Sequence, residues 1–136
     1  ILNIKYSNYI KKKIKCAPLV KGCLEFLNKN FNKHSIYLCS VTIESDLLEI
    51  VKQKQLNNFF IDIKGGPIKK LEIIKKIIFQ KNLKLKNIFY IGDSESDLQL
   101  AKELGISFIG GNSFGSFQFP KNIKVINDLR ELESII

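Results

Sequence analysis

The 136-residue chain contains no methionine and no tryptophan, a single histidine and three cysteines. These scarcities exclude several chemistries. His34 stands alone, and Cys16, Cys23 and Cys39 are odd in number and lack metal-site spacing, so no zinc site or convincing Cys–His nucleophile can be assembled. Cys23 falls on a helical apolar face and Cys39 inside an apolar strand, where a free thiol packs as a small hydrophobe. Unpaired cysteines of this kind point to a reducing, hence cytoplasmic, compartment. No apolar stretch approaches the roughly 18 residues needed to span a bilayer, and no secretory signal is readable. With Ile1 in first place and no Met anywhere, the start is expected to come from processing, cloning or a partial reading frame.

Arginine is almost absent as well. The formal net charge is +9, yet Arg130 is the sole arginine and every other basic residue except the histidine is a lysine. The lysines are scattered among many Ile and Asn residues. Sequence-reading proteins rely on arginine for bidentate base contacts, and no recognition-helix pattern is present. A solvated lysine surface is therefore favoured. A basic nucleic-acid-binding α/β domain is the outer alternative, and it predicts salt-sensitive binding to DNA or RNA.

The apolar pattern alternates short strands with helices. Pro18 marks a helix start, followed by Leu19, Cys23, Phe26 and Leu27 at helical spacing. Ser35 to Ser40 reads as a short buried strand, and Thr42 as the cap of a helix with Leu47, Leu48, Ile50 and Val51 inward. Phe59 to Ile63 is a short apolar run ended by Gly65-Gly66-Pro67, and the next helix turns Leu71, Ile74, Ile77 and Ile78 inward. Asn87 to Ile91 is the clearest buried strand. The helix after it carries Leu98, Leu100, Ala101 and Leu104 and stops at Gly105. Ile106 to Ile109 and Ile123 to Ile126 are further strands, and Asp128 to Ile136 is a last helix. Such alternation predicts a parallel sheet covered on both faces.

The sharpest chemical signal is Tyr90-Ile91-Gly92-Asp93-Ser94-Glu95-Ser96-Asp97. An apolar strand delivers Asp93 to its C-terminal end, where open parallel sheets bind ligands. Asp97 follows four residues later, so its carboxylate can lie near that of Asp93 once the helix has begun. Two oxygen donors there suit Mg²⁺, which takes carboxylates, waters and substrate phosphate. Ser94 and Asp97 also fit a helix-capping box, but a cap does not explain an acid at the end of an apolar strand.

This stretch, with Ala101 and Gly105-Ile106 after it, resembles the fourth motif of phosphatases in the haloacid dehalogenase (HAD) superfamily. Upstream, Tyr37-Leu38-Cys39-Ser40-Val41-Thr42 resembles the second motif, and Gly65-Gly66-Pro67-Ile68-Lys69-Lys70 the approach to the third. Lys21-Gly22 to Phe26-Leu27 matches the helix that leads into the second motif. The resemblance covers Pro18 to Gly110 and implies a three-layer α/β/α Rossmann-like sandwich with a parallel sheet. It implies an Mg²⁺-dependent phosphatase of small phosphorylated metabolites. Asp93 and Asp97 serve the metal, the Ser40 hydroxyl and a lysine hold the phosphate, and register after Gly-x-Pro selects Lys70 over Lys69.

The family's first motif is an apolar strand ending in Asp-x-Asp, whose first Asp forms an aspartyl-phosphate and whose second is general acid and base. The aspartates here are Asp46, Asp62, Asp93, Asp97 and Asp128, and none begins an Asp-x-Asp. Asp62, followed by Lys64, lies where the family places the run before its third motif, and is rejected as nucleophile. The resemblance implies a missing N-terminal strand and most of a helical cap. Residues 1–15 are then the tail of that cap, and 16–136 an incomplete core. A decayed first strand at Ile1-Leu2-Asn3-Ile4, with Asn3 in the acid's place, is the lesser alternative. The chain by itself is expected to be inactive. Loss of a central strand would bare inner edges at about 1–3 kcal/mol per buried unsatisfied group. The filler is expected to be Ile1 to Tyr6, a strand from a second copy in a homodimer, or a separated N-terminal piece. A non-catalytic phosphate-binding or regulatory module on the same scaffold is the main functional alternative.

Overall fold

The computed structural model describes residues 21–112 and 117–136. Within them, helices and strands alternate. Helix α1 (Cys23–Asn30) leads into strand β1 (Tyr37–Ile43), and α2 (Glu44–Gln53) with a 3-10 turn (Asn57–Phe59) leads into β2 (Asp62–Gly66). Helix α3 (Lys70–Gln80) and a second turn (Leu85–Asn87) precede β3 (Phe89–Gly92), and α4 (Glu95–Leu104) precedes β4 (Ser107–Gly111). Strand β5 (Val125–Ile126) and a 3-10 helix (Leu129–Ser134) follow. The cap-tail expectation for residues 1–15, the helix start at Pro18, and Cys16 lie outside the described residues.

All the described pairings are parallel: β1 with β2, β3 with β4, and β4 with β5. Parallel neighbours need a crossover between them, which α2 provides for β1 and β2 and α4 for β3 and β4. Among the described residues the strands form two sets, β1–β2 and β3–β4–β5. Side chains alternate between two buried layers. Leu38, Ile91 and Ile109 pack with Phe26, Leu27, Leu47 and Leu132 on one face. Cys39 and Tyr90 pack with Ile73, Ile74, Ile77 and Ala101 on the other. Burial on both faces explains why the strands read as apolar runs rather than as alternating patterns. The expected α/β architecture with parallel strands is the observed one.

Several local expectations are corrected. Thr42 caps no helix: β1 continues through it to Ile43, Thr42 is buried, and α2 begins at Glu44. The β-branched Val41, Thr42 and Ile43 favour extended backbone, and Ile43 pairs with Gly66 after a register shift. Gly66 makes that approach feasible, because a Cβ there would lie 2.6 Å from the Val41 carbonyl oxygen. Leu48 faces solvent, 45% exposed, while Leu47, Ile50 and Val51 form the buried stripe. In α3 the buried positions are Ile73, Ile74 and Ile77, with Leu71 and Ile78 only half-buried. The last helix is 3-10, because buried Leu129 and Leu132 lie three apart and eclipse in a three-residue turn. Asp128 starts it with a capping box closed by Glu131. Gly105 does stop α4 with a left-handed φ of 72°.

No helix among the described residues is long and apolar enough to cross a membrane. The face assignment of α2 is tested by paired truncations. Leu47→Ala, at a fully buried position, is expected to cost about 2–5 kcal/mol in urea denaturation, and Leu48→Ala less than about 0.5 kcal/mol.

Candidate functional site

The last residues of β3, Tyr90, Ile91 and Gly92, are buried, and the chain then bends through Asp93 into α4. Ser94 is the N-cap: its Oγ accepts from the Asp97 backbone N–H at 3.2 Å. The same hydroxyl donates to Asp97 Oδ2 at 2.8 Å. Asp97 Oδ2 also accepts from the Asp93 backbone N–H at 3.2 Å. Asp97 Oδ1 accepts from the Tyr90 hydroxyl at 2.8 Å and from Lys70 Nζ at 3.0 Å. Four donors thus converge on one carboxylate that is 1% exposed.

Lys70 is the first residue of α3 and is 8% exposed. A cation there opposes the helix dipole and loses hydration on burial. The Asp97 carboxylate offsets both penalties. Burial alone would push the Asp97 carboxyl up, but the Lys70 ammonium and the hydrogen bonds from Tyr90, Lys70 and Ser94 outweigh it and hold the group below its ordinary value. The Tyr90 hydroxyl is pushed up, first by burial and then by the adjacent Asp97 charge. Gly92 permits this packing, since a Cβ there would lie 2.6 Å from Asp97 Cβ.

Of the residues singled out from sequence, Lys70 and Asp97 are in direct contact. Asp93, half-buried, is linked to Asp97 through its own backbone N–H. Lys69 precedes the helix in extended conformation and is exposed. Ser40 is fully buried on β1, and its Oγ accepts from the Thr42 backbone N–H at 3.1 Å. The preceding residue, Cys39, packs with Ile73, Ile74 and Tyr90 around the same site. Tyr90 was missed in the sequence, although a tyrosine in an otherwise aliphatic buried strand requires a partner for its hydroxyl.

Asp62 stands elsewhere. It opens β2 opposite Tyr37, at the start of β1, and lies 3.8 Å from Lys64 in an exposed pair. That is the end of the strands away from Asp93. Among the described residues no group of three or more His, Cys, Asp or Glu side chains is placed to hold a metal ion. Burial pushes the Cys23 and Cys39 thiols up to about 11, which leaves them unreactive near neutral pH.

Removing Lys70 strands a buried carboxylate. Lys70→Ala is expected to cost about 3–5 kcal/mol in urea denaturation, and adding Asp97→Asn to restore part of it. A cost below about 0.5 kcal/mol would show that the pair contributes nothing. Because its folded pKa is depressed, Asp97 contributes stability that is present above the ordinary carboxylate range, about pH 4. That stability is lost as pH falls through the lower folded value. Asp97→Asn is expected to flatten this acid limb in a plot of urea midpoint against pH.

The fold recurs in solved structures of low identity. A haloacid dehalogenase-like family hydrolase from Streptococcus pneumoniae superposes with a TM-score of 0.81 at 20% identity, over 93% of this chain and 64% of that one. A predicted phosphoglycolate phosphatase from Haemophilus somnus gives 0.76 at 16% identity, over 93% and 61%. A HAD-family protein from Bacillus subtilis, solved bound to magnesium, gives 0.70 at 18%, over 84% and 54%. The chain therefore spans less than two thirds of the length of these structures, and the likeness is one of fold. Among curated proteins none matches. The family model described as haloacid dehalogenase-like hydrolase matches residues 1–110, a span that includes Ser40, Lys70, Asp93 and Asp97. With that match over most of its length, the chain belongs to the haloacid dehalogenase-like hydrolase family.

Proposed function

We propose that these residues form the core of an Mg²⁺-dependent phosphatase of small phosphorylated metabolites, working through an aspartyl-phosphate whose aspartate lies outside the 136 residues. The observation that carries this reading is the buried Lys70–Asp97 pair beside Asp93 at the C-terminal end of β3. Asp97 spends both oxygens on fixed donors, which holds Lys70 Nζ in place at the strand end. Lys70 would bind a phosphoryl oxygen, and the Ser40 hydroxyl would donate to another. Phosphoryl transfer depends chiefly on such positioning and charge neutralisation.

The donor set fits Mg²⁺, which is held by one or two carboxylates with waters and substrate phosphate completing its shell. Asp93, half-buried at the strand end, would hold the ion, and Asp97 would support Asp93 through its backbone N–H. When bound, the ion neutralises phosphoryl charge and orients the transferring group. The non-catalytic reading draws on the sequence itself, which contains no Asp-x-Asp.

The test compares the chain alone with the protein that carries the nucleophile-bearing segment. The latter is expected to hydrolyse p-nitrophenyl phosphate, to stop in EDTA, and to slow by about 10²–10³ on Asp93→Asn with its circular dichroism unchanged. The 136 residues alone should bind inorganic phosphate without turnover. Phosphate binding without turnover in both forms would establish the non-catalytic alternative. Turnover by the 136 residues that survives Asp93→Asn would overturn the proposal.

A further inference from the structure

Packing around Tyr90 calls for a ring and not for a hydroxyl. The side chain is fully buried. Its ring stacks on that of Phe108, the paired position on β4, with centroids 6.0 Å apart and planes at 25°. Phe108 in turn meets Phe119 at 5.6 Å, and Phe119 lies against Gly110, where a Cβ would stand 2.7 Å from its ring. Ile73, Ile74, Ile77 and Ala101 belong to the same apolar layer. Phenylalanine would fill this place as well. A buried hydroxyl costs free energy unless it is hydrogen-bonded, so the oxygen of Tyr90 has to be accounted for by its partner.

That partner is Asp97 Oδ1, at 2.8 Å, the same oxygen that accepts from Lys70 Nζ at 3.0 Å. Oδ2 accepts from the Ser94 hydroxyl and the Asp93 backbone N–H. The two oxygens differ in what carries their donors. Asp93 and Ser94 belong to the bend between β3 and α4, the short segment that carries Asp97 itself, so they shift with it. Tyr90 stands within β3, its backbone paired to β4 and its ring held by Phe108. Donors on Oδ2 alone leave Oδ1 able to swing about that anchored oxygen. A donor from the strand stops the swing. Lys70 reaches in from α3 on a flexible four-carbon stem, so its ammonium stands wherever Oδ1 is held.

From this geometry we infer that Tyr90 is a positioning residue: through Asp97 Oδ1, its hydroxyl sets where the Lys70 ammonium stands at the C-terminal end of β3. The use of that ammonium, to meet a phosphoryl oxygen, rests on the function proposed above. Tyr90 itself touches no reacting atom. Misplacing a substrate-positioning group by about 1 Å can lower turnover by about 10²-fold, so a hydroxyl remote from the chemistry still bears on it.

The test removes the hydroxyl and keeps the ring. In the 136-residue chain, Tyr90→Phe is expected to keep its circular dichroism. Exchange of the Lys70 ammonium protons, read by proton–nitrogen NMR and assigned by loss of the signal in Lys70→Arg, should quicken about tenfold or more. Ile77→Val trims the same apolar layer and should leave that exchange unchanged. A purely structural role would speed exchange in both variants, in proportion to the stability each loses. Replacing Tyr90 by para-aminophenylalanine restores a donor and should bring the slow exchange back. In the protein that carries the nucleophile-bearing segment, Tyr90→Phe should lower kcat/KM for p-nitrophenyl phosphate by about ten- to a hundredfold. Faster exchange in a protein that neither binds inorganic phosphate nor hydrolyses the ester would leave the positioning role standing and remove the proposed function. Unchanged exchange in Tyr90→Phe, or equal acceleration in Ile77→Val, overturns the inference. So does an ammonium that already exchanges as fast as those of exposed lysines in the unmodified chain. If Tyr90→Phe does not fold, para-fluorophenylalanine at the same position is measured in its place. A chain that unfolds with both assigns the hydroxyl to stability and overturns the inference.

Discussion

The ion pair between Lys70 and Asp97 is the constraint around which this end of the molecule is organised. Three elements meet in it: the first turn of α3, the hydroxyl of Tyr90 on β3, and the Ser94 cap of α4. Charges of opposite sign in a dry setting gain Coulomb energy but lose hydration, and the balance is often near zero against an apolar substitute. A fold that sought only stability would gain little from the pair. Its value is positional. The carboxylate is held by four donors from different elements, so displacing any one of them leaves a buried polar group unmade.

The placement of Lys70 at a helix start strengthens this reading. A cation at that position is disfavoured by the dipole and by burial together. On the proposed phosphatase reading, an anion arriving at the strand ends would meet a lysine already held in place by Asp97. Preorganised donors of that kind need not reorient when a ligand arrives.

Much of the architecture was legible in the sequence because it depends on local chemistry. The alternation of apolar runs with helical stripes gave the order of strands and helices, Gly105 marked the end of α4, and Ser94 with Asp97 marked its start. Boundaries set by tertiary packing were not legible. Thr42 has the chemistry of a cap, yet the close approach of Gly65 and Gly66 keeps it in β1, and only the pairing of Ile43 with Gly66 reveals this. Likewise Leu48 and Leu47 are the same residue type side by side, and the stripe that buries one is fixed by where α2 begins. In the site, Asp97 could be read as an acid near Asp93. Its partnership with Lys70 joins residues 27 positions apart, which no local pattern encodes.

The cluster around Lys70 also follows from the sense of the strands. Every described pairing is parallel, so the C-terminal ends of β3 and β4 lie at one edge, and Asp93 follows β3 there. Lys70 opens the helix that follows β2, and its contact with Asp97 ties that helix start to the end of β3. Open parallel sheets place their ligands outside the carboxyl ends of their strands, and Asp62, at the opening of β2, is kept from that edge by the same geometry.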